Sequence, residues 1–379
     1  MPSVVISGTG FYAPPEIITN DELVASFNAY VERYNRKNQE AIARGELDAL
    51  KPSTCAFIEK ASGIKQRHVV VKDGMLDIDR MMPILPRRGE GELCYSAEMA
   101  VPAAREALAQ AGRRPEEIDL VICGATTSER PWPAVAIEIQ KELGCGGYAF
   151  DMTVACATAT FALSTACDAL ASGAARKALV LNPELMSPQI NYRDRDSHFI
   201  FGDAATACVL ELEDDASANA GPLYRILHRR LETSFSYNIS LHSSFTTLAE
   251  PGVTLERFFA ADQFFVQRGR KVFRELLPLV CNLVEGQLRD TGIAASRLRR
   301  LWLHQANINM NNYIARQLLG HNASREEAPI VLDEYANAVA AGSIIAFHKY
   351  RDDLQPGDLG LICSFGAGYS IGSIIVEKV

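Results

Sequence analysis

GYAFDMTVACATAT, residues 147–160, is the stretch around which the rest of the chain is organised. Its first part is apolar, and an alanine-rich helical pattern continues to about residue 172. This predicts a strand, a tight turn and a helix, with Cys156 at or near the helix N-terminus. Unpaired N–H groups and the helix dipole lower the pKa of a thiol at that position. Because the thiolate is the nucleophilic form, Cys156 is a candidate nucleophile, and a buried structural cysteine is the alternative.

The composition is that of an ordinary globular protein. With 379 residues, of which 48% are hydrophobic and 22% charged, the chain is long enough for two or more domain-sized units. The net charge of −8 disfavours a nucleic-acid partner. The nine cysteines occur without a CxxC pair, which disfavours a zinc site or a disulfide framework. No apolar run is long enough to cross a membrane and no basic leader is present, so we expect a cytoplasmic protein that does not act on membranes.

From about residue 96 the predicted strands and helices alternate. Helices are predicted at 97–111, 133–143 and after Cys156, and strands at 118–123, 148–152, 177–181 and 205–211. This alternation is typical of an α/β fold with a mostly parallel sheet that has helices on both faces. Two segments interrupt the first half. Residues 30–51 are polar and predict an inserted helix pair or an exposed excursion, and residues 73–92 predict a surface loop.

One sequence pattern occurs twice. Gly112 is followed six residues later by a strand beginning at Ile118, and Gly292 is followed six residues later by a strand beginning at Leu298. After each strand comes a helix that ends in Leu-Gly, at 143–144 and at 319–320. The repeat predicts two related α/β halves, residues 1–215 and 216–379, joined by a linker near 213–221.

Three further segments carry candidate site residues. His304 follows the predicted strand 301–303, and the carboxyl ends of parallel strands are where α/β proteins form ligand sites. Asn337 comes at a second predicted strand end, at the junction between a strand and a helix. FGAGY at 365–369 is a glycine-rich turn that can present backbone N–H groups. The structural alternatives are a hydrogen-bonded core histidine for His304, a helix N-cap for Asn337 and a simple hairpin for the glycine-rich turn. Papain-like hydrolases also use Cys, His and Asn, but their cysteine lies near the chain start and they carry disulfides.

VACA (154–157), HQAN (304–307), YAN (335–337) and FGAGYSIGS (365–373), in this order, resemble the β-ketoacyl-acyl-carrier-protein synthase III family of the thiolase superfamily. Asn20, GI (63–64), RH (67–68) and FGDA (201–204) extend the resemblance over nearly the whole chain. It implies a thiolase-like five-layer αβαβα fold of two duplicated halves, with mixed, mostly parallel sheets, in a homodimer.

The resemblance also implies a reaction. Cys156 would take the acyl group from an acyl-CoA, and His304 and Asn337 would bind the thioester carbonyl of malonyl-acyl carrier protein while CO2 leaves. The backbone N–H groups of Cys156 and Ala367 would form the oxyanion hole, and Asn307 would orient His304. No metal or tightly bound cofactor is implied. The alternatives on the same fold are an acyltransferase, a condensing enzyme that does not decarboxylate, and an inactive partner subunit.

The chain departs from the family pattern at several expected contacts. Phe57 stands where the family usually has a tryptophan that stacks on the CoA adenine, and arginines expected near 61 and 309 are absent. Arg195 is retained and is expected to contact the adenine or a phosphate, and Phe273 is a further expected substrate contact. Trp132 replaces a phenylalanine that closes the partner's acyl pocket in the family, so it is expected to shorten that pocket or to open it.

Two features suggest how this chain differs from acetyl-CoA-primed enzymes and where its partner binds. The segments 30–51 and 73–92 are longer than in those enzymes, which suggests an acyl primer longer than acetyl. Lys271 and Arg274 lie in a basic cluster, and Arg316 follows HQAN by one helix. Acyl carrier proteins are acidic, so these three residues form a candidate docking face, with a solvated helix face as the alternative.

Overall fold

The computed structural model describes residues 2–216, 220–242 and 260–379, with the side chain of Asp262 left out; residues 217–219 of the predicted linker lie outside these ranges. The strands are β1 Val4–Tyr12, β2 Glu16–Thr19, β3 Gln66–Val69, β4 Leu120–Gly124, β5 Tyr148–Met152, β6 Lys177–Glu184, β7 Ala204–Leu212, β8 Tyr224–Ser236, β9 Ile239–Ser240, β10 Val266–Gln267, β11 Leu298–Leu303, β12 Leu359–Gly366 and β13 Gly368–Lys378. The α-helices are α1 Asn20–Lys37, α2 Gln39–Ala43, α3 Cys55–Ser62, α4 Tyr95–Gln110, α5 Val135–Leu143, α6 Thr158–Ser172, α7 Gly269–Thr291, α8 Ile308–Leu319, α9 Leu332–Tyr335 and α10 Ala341–Lys349. No helix within the described ranges is long and apolar enough to cross a membrane.

The main sheet has nine strands in the order β11-β12-β13-β8-β1-β7-β6-β4-β5. Its two halves are joined by a short contact in which Val5 and Ile6 of β1 pair with Arg225 and Tyr224 of β8. The expectation of mostly parallel pairing is wrong in detail. Only β4–β5, β4–β6 and β11–β12 are parallel, and the five other neighbouring pairs are antiparallel. Parallel neighbours need a crossover, and connections such as the single residue between β12 and β13 are too short to provide one.

Five layers result from the way the helices cover the sheet. Helices α6 and α10 lie between the two halves, in a cluster that includes Leu120 of β4 and Ile362 of β12. Helices α4 and α5 cover the outer face of the N-terminal half, and α7 and α8 cover the outer face of the C-terminal half. The predicted five-layer αβαβα arrangement is confirmed.

The sequence repeat corresponds to a structural repeat. Gly112 and Gly292, which follow α4 and α7, both have positive φ, and α5 and α8 both end at a glycine in the left-handed region, Gly144 and Gly320. A left-handed residue after a helix is favourable for glycine because it has no β-carbon. The boundary near residue 215 remains a prediction; the distribution of β1 and β4–β7 before it and β8–β13 after it supports that boundary.

The two inserted segments pack against each other. Residues 30–51 form the C-terminal part of α1, then α2 and a loop. Residues 73–92 form a loop without helix or strand, as predicted. Arg33 on α1 forms an ion pair with Asp79 and donates to the Ile78 carbonyl. Both segments contribute to one buried group, the cap cluster, whose members include Val31, Met75, Met81, Phe199, Phe201, Ala336 and Val339.

Candidate active site

The predicted strand, turn and helix around Cys156 are confirmed. Strand β5 ends at Met152, and α6 begins at Thr158, two residues after the cysteine. Ala155 has φ of +46°, in the left-handed region that strains a residue with a side chain. The Thr158 hydroxyl holds this turn, since it accepts from the Val154 N–H at 2.8 Å and donates to the Ala155 carbonyl at 2.6 Å.

The glycine-rich turn between β12 and β13 lies against Cys156. The backbone N–H groups of Ala367 and of Cys156 itself face the thiol and lower its pKa. Gly366 leaves no space for a side chain here, because a β-carbon on it would lie 2.6 Å from Cys156 Cβ. The positive φ in this turn belongs to Gly368, so alanine at 367 is compatible with the backbone. The turn therefore places the Ala367 N–H beside Cys156, where it can serve with the Cys156 N–H as a donor to an oxyanion.

The acidity of the Cys156 thiol differs from the prediction. Burial raises the pKa of Cys156 to about 12, and the nearby carboxyl of Glu184 raises it further, while the two N–H groups act in the opposite direction. The predicted decrease is wrong because the pattern that placed Cys156 at a helix N-terminus does not reveal that the partly buried thiol packs against the cap cluster or that an acid lies nearby. The thiol is therefore protonated in the free protein at neutral pH.

His304 is buried and directly follows β11. Its backbone N–H donates to the Cys363 carbonyl of β12 at 2.8 Å, and its ring lies edge-on to Phe365 with a centroid distance of 5.3 Å. Burial lowers the pKa of His304 to about 4, and the backbone of Val339 opposes this decrease. The imidazole is thus neutral at physiological pH. Since Phe365 is followed by Gly366, the same strand end positions both His304 and the turn at Cys156.

Asn337 is not at a strand end, as the sequence had suggested, but in the loop between α9 and α10. Its backbone N–H donates to the Ile200 carbonyl at 3.0 Å, and its carbonyl accepts from the Gly202 N–H at 3.3 Å. Its Oδ1 accepts from the Val339 N–H at 3.0 Å. Val339 therefore contacts Asn337 through its N–H and influences His304 through its backbone, and the loop brings the two side chains to the same site.

The predicted contact from Asn307 to His304 is wrong. Asn307 is the N-cap of α8, and its Oδ1 accepts from the Asn309 N–H at 2.8 Å. Its Nδ2 donates to the Ala61 carbonyl of α3 at 2.5 Å. The side chain therefore starts α8 and fastens it to α3.

Four further residues were predicted to bind substrate. The Arg195 guanidinium lies 3.7 Å from the centre of the Phe57 ring, and its Nε donates to the Pro52 carbonyl at 2.8 Å. One face of Phe57 is therefore already covered by a cation. Trp132 is 78% exposed in the single chain. Phe273 is partly exposed on α7 and lies edge-on to Tyr313 of α8.

The three basic residues of the candidate docking face are exposed. Lys271 and Arg274 lie near the start of α7, and Arg316 lies on α8, one turn after Tyr313. Because Tyr313 contacts Phe273 on α7, the basic parts of the two helices are neighbours. The first turn of α7 contains no acidic residue, although acidic side chains are favoured there by the helix dipole.

Sequence reasoning missed Glu184 and Phe265. Glu184 ends β6 and is 1% exposed, and Phe265 packs on Phe201 at the cap cluster that Cys156 also contacts. The available signal for Glu184 was a carboxylate three residues after the apolar run 178–181. Phe265 has no comparable signal, because it lies in an irregular segment.

Comparisons with known proteins agree with this geometry. The family model described as 3-oxoacyl-[acyl-carrier-protein] synthase III matches residues 150–223, and the model for its C-terminal part matches residues 288–378. The chain is 49% identical over 353 residues to the β-ketodecanoyl-[acyl-carrier-protein] synthase of Pseudomonas aeruginosa, which covers 93% of this chain and 99% of that protein. It is 30% identical over 374 residues to the β-ketoacyl-[acyl-carrier-protein] synthase III of Vesicomyosocius okutanii, covering 98% of each.

Solved structures agree on the fold. The 3-oxoacyl-(acyl carrier protein) synthase III from Pseudomonas aeruginosa superposes with a TM-score of 0.75 at 25% identity, covering 99% of this chain and 98% of that one. The enzyme of the same name from Aquifex aeolicus gives 0.74, also at 25% identity, with 99% of each chain covered. With these matches over nearly the whole length of each chain, the protein belongs to the β-ketoacyl-[acyl-carrier-protein] synthase III family of condensing acyltransferases.

Proposed function

We propose that the protein catalyses a decarboxylating Claisen condensation of an acyl-CoA primer with malonyl-acyl carrier protein, with Cys156 as the acyl carrier. The observation that carries the proposal is that the turn at Gly366 packs on Cys156, that the preceding residue, Phe365, contacts the neutral His304 ring, and that Cys156 packs on the cluster containing Val339, which binds Asn337. A condensation needs a nucleophile, donors for the oxyanion and neutral donors for an enolate. The reaction needs no metal or prosthetic group.

In the first half-reaction the Cys156 sulfur forms a bond to the acyl carbon and the bond from that carbon to the CoA sulfur breaks. The thiol proton leaves with the CoA thiol. The N–H groups of Cys156 and Ala367 bind the oxyanion of the tetrahedral intermediate. Because the free thiol has a raised pKa, its deprotonation has to be coupled to substrate binding or to the attack itself.

In the second half-reaction the bond between the malonyl α-carbon and its carboxylate breaks and CO2 leaves. The electron pair stays on the α-carbon as an enolate, whose oxygen accepts hydrogen bonds from His304 and Asn337. Since the His304 pKa is about 4, the imidazole donates as a neutral group. Asn337 Oδ1 is occupied by the Val339 N–H, which leaves the Nδ2 amide as the donor. The α-carbon then attacks the acyl carbon, and Cys156 leaves as a thiolate that regains a proton.

We propose a medium-length acyl primer rather than acetyl. The similar Pseudomonas aeruginosa protein is named for a β-ketodecanoyl product, and condensation with malonyl would require an octanoyl primer to make it. In this chain both inserted segments contribute side chains to the cap cluster that Cys156 also contacts. The insertions thus belong to the same packed unit as the site, which supports a role in shaping the acyl pocket.

We also propose a homodimer. Strand β5 is at the free edge of the main sheet, and it ends four residues before Cys156. Tyr148 on this strand, Trp132 and Ile137 are exposed apolar side chains, at 44%, 78% and 48%. An exposed edge strand with apolar neighbours favours pairing with a second copy. This arrangement would direct Trp132 toward the partner's site.

The docking partner proposed for Lys271, Arg274 and Arg316 is acyl carrier protein, which is acidic. Lys271 lies in the first turn of α7, where a cation opposes the helix dipole, so its presence there is better explained by a negatively charged partner than by helix stability. The proposed substrates, CoA thioesters and acyl carrier protein, suggest that the reaction takes place in the cytoplasm.

The test separates the two half-reactions. The protein is incubated with isotopically labelled octanoyl-CoA, the label is located by peptide mass spectrometry, and malonyl-acyl carrier protein is then added. We expect label on Cys156, followed by CO2 release and β-ketodecanoyl-acyl carrier protein. Acyl-enzyme without CO2 would favour an acyltransferase, and no acyl-enzyme would favour an inactive subunit. The same product from Cys156→Ala would disprove the proposal, and a chain-length series with acetyl-CoA clearly best would disprove the medium-length primer.

A further inference from the structure

Glu184 is a buried carboxylate that the reaction as described above does not use. It ends β6 and is 1% exposed. Its Oε1 accepts from the Thr126 N–H at 3.0 Å, from the Thr126 hydroxyl at 3.1 Å and from the Ala340 N–H at 3.2 Å. No lysine or arginine of the described ranges pairs with it. Burying a carboxylate without a cation is costly, so its retention needs an explanation.

The hydrogen bonds of Glu184 connect the two halves of the fold at the active site. Thr126 follows β4 in the N-terminal half, whereas Ala340 precedes α10 in the C-terminal half. Ala340 belongs to the loop that carries Asn337, three residues earlier. The Val339 N–H binds Asn337 Oδ1, and the next N–H along the chain, that of Ala340, binds Glu184. Glu184 therefore holds the backbone that orients the Asn337 amide.

This loop has a conformation that needs such an anchor. Ala336 and Val339 have φ of +55° and +47°, and both residues carry side chains that are strained in the left-handed region. Strained residues persist only where surrounding contacts hold them in place. Within this short loop, a carboxylate that accepts from Ala340 supplies a contact of this kind directly beside Val339.

Glu184 also acts on the nucleophile through its charge at alkaline pH, where its carboxyl is ionised. Its carboxyl contributes to the raised pKa of Cys156. Burial raises the pKa of Glu184 itself to about 8, against the effect of its hydrogen bonds. The titratable groups that interact with it are Asp203, Cys156 and Cys123. Replacing the carboxyl by a neutral group should therefore lower the pKa of the thiol.

We propose that Glu184 is a positioning residue that holds the Asn337 loop in the geometry required for malonyl decarboxylation. The inference rests on the proposed condensation and deepens it. Glu184 touches neither substrate nor reacting atoms, and it acts through Ala340, Val339 and Asn337. Its removal should therefore affect the second half-reaction more than the transfer of the acyl group to Cys156.

The test compares wild type and Glu184→Gln in both half-reactions. Glutamine has the same shape, but its amide is a weaker acceptor at the Oε1 position and its NH2 group replaces Oε2, which accepts from the Thr126 N–H at 3.1 Å, so that bond is lost and the bond to Ala340 is weakened. We expect the kcat for CO2 release from malonyl-acyl carrier protein to fall at least about tenfold. Acylation of Cys156 by octanoyl-CoA should change by less than about threefold. The pH at which iodoacetamide begins to modify Cys156, followed by peptide mass spectrometry, should move downward.

The matched control is Glu211→Gln, which alters another buried carboxylate of the N-terminal half whose partner is Arg113. It should leave the ratio of the rates of the two half-reactions unchanged, and likewise the pH dependence of Cys156 modification by iodoacetamide. If circular dichroism shows that Glu184→Gln is unfolded, Glu184→Asp is measured instead. We expect it to lose CO2 release more than acylation as well, by a smaller factor. Equal losses in both half-reactions, or no loss, would overturn the inference. A wild type that releases no CO2 would overturn the proposed function itself, and the inference with it.

Discussion

Gly366 lies so close to Cys156 that the two residues leave no room for a single additional carbon atom. A β-carbon on Gly366 would lie 2.6 Å from Cys156 Cβ and 2.9 Å from its sulfur. Gly366 ends β12, and the N–H of Ala367, which follows it, lowers the pKa of the same thiol. The close approach of the strand end is thus what allows a backbone donor to reach the nucleophile.

Gly366→Ala should therefore abolish acyl transfer while the fold survives. The methyl group forces either the strand end or the Cys156 side chain to move, and the Ala367 N–H moves with it. We expect kcat for acylation to fall about a hundredfold or more, the range that follows removal of an oxyanion donor. Gly146→Ala is the control, because a β-carbon there makes only an ordinary contact at 3.5 Å. Full acylation activity of Gly366→Ala would contradict the geometry.

The sequence predicts best where local pattern and local structure coincide. The turn at Cys156 and the Leu-Gly helix ends at 143–144 and 319–320 follow from periodicity and from glycine's conformational freedom, which are properties of short segments. The five layers were implied by the family resemblance. The position of Asn337 could not be predicted, because its loop is set by pairing with Ile200 and Gly202, more than 130 residues earlier in the chain.

The acidity of Cys156 could not be predicted from the sequence either, because it too depends on distant residues. Its pKa depends on burial by the cap cluster and on Glu184, which come from distant parts of the chain. Likewise, HQAN alone does not reveal which partners Asn307 chooses. The Asn307 side chain caps α8 instead of contacting His304, because a helix start leaves N–H groups unpaired and because the Ala61 carbonyl is within reach of its Nδ2.

Asn307→Ala should lower stability rather than alter the chemistry. Loss of the cap on α8 should cost about 1 kcal/mol of unfolding free energy, a typical value for an N-cap asparagine. Since Asn307 does not contact His304, kcat for CO2 release should stay within about threefold of wild type. Thermal denaturation and the decarboxylation assay measure the two effects. A large loss of kcat with unchanged stability would instead indicate that Asn307 acts on His304.

The alkylation of Cys156 should depend on pH over an unusually alkaline range. The raised thiol pKa, about 12, means that the reactive thiolate fraction keeps increasing as pH rises and does not level off between pH 7 and 10. An ordinary exposed thiol would level off near its pKa of about 8.5. The check is the rate of iodoacetamide modification of the Cys156 peptide across this range in folded protein. A plateau below pH 8 would show that the thiol is activated in the free protein.

Charge reversal on α7 should weaken use of the carrier protein without affecting chemistry on small substrates. In Lys271→Glu/Arg274→Glu, repulsion from an acidic partner should raise KM for malonyl-acyl carrier protein at least about tenfold at low salt, and added salt should reduce the difference. The rate of Cys156 acylation by octanoyl-CoA, which does not involve the carrier protein, should be unchanged and shows that the active site is intact. Arg289→Glu is the matched control, because it lies in the last turn of the same helix, about 22 Å from Arg274. If the double variant keeps the wild-type KM, or if Arg289→Glu raises it equally, the docking face is not at the start of α7.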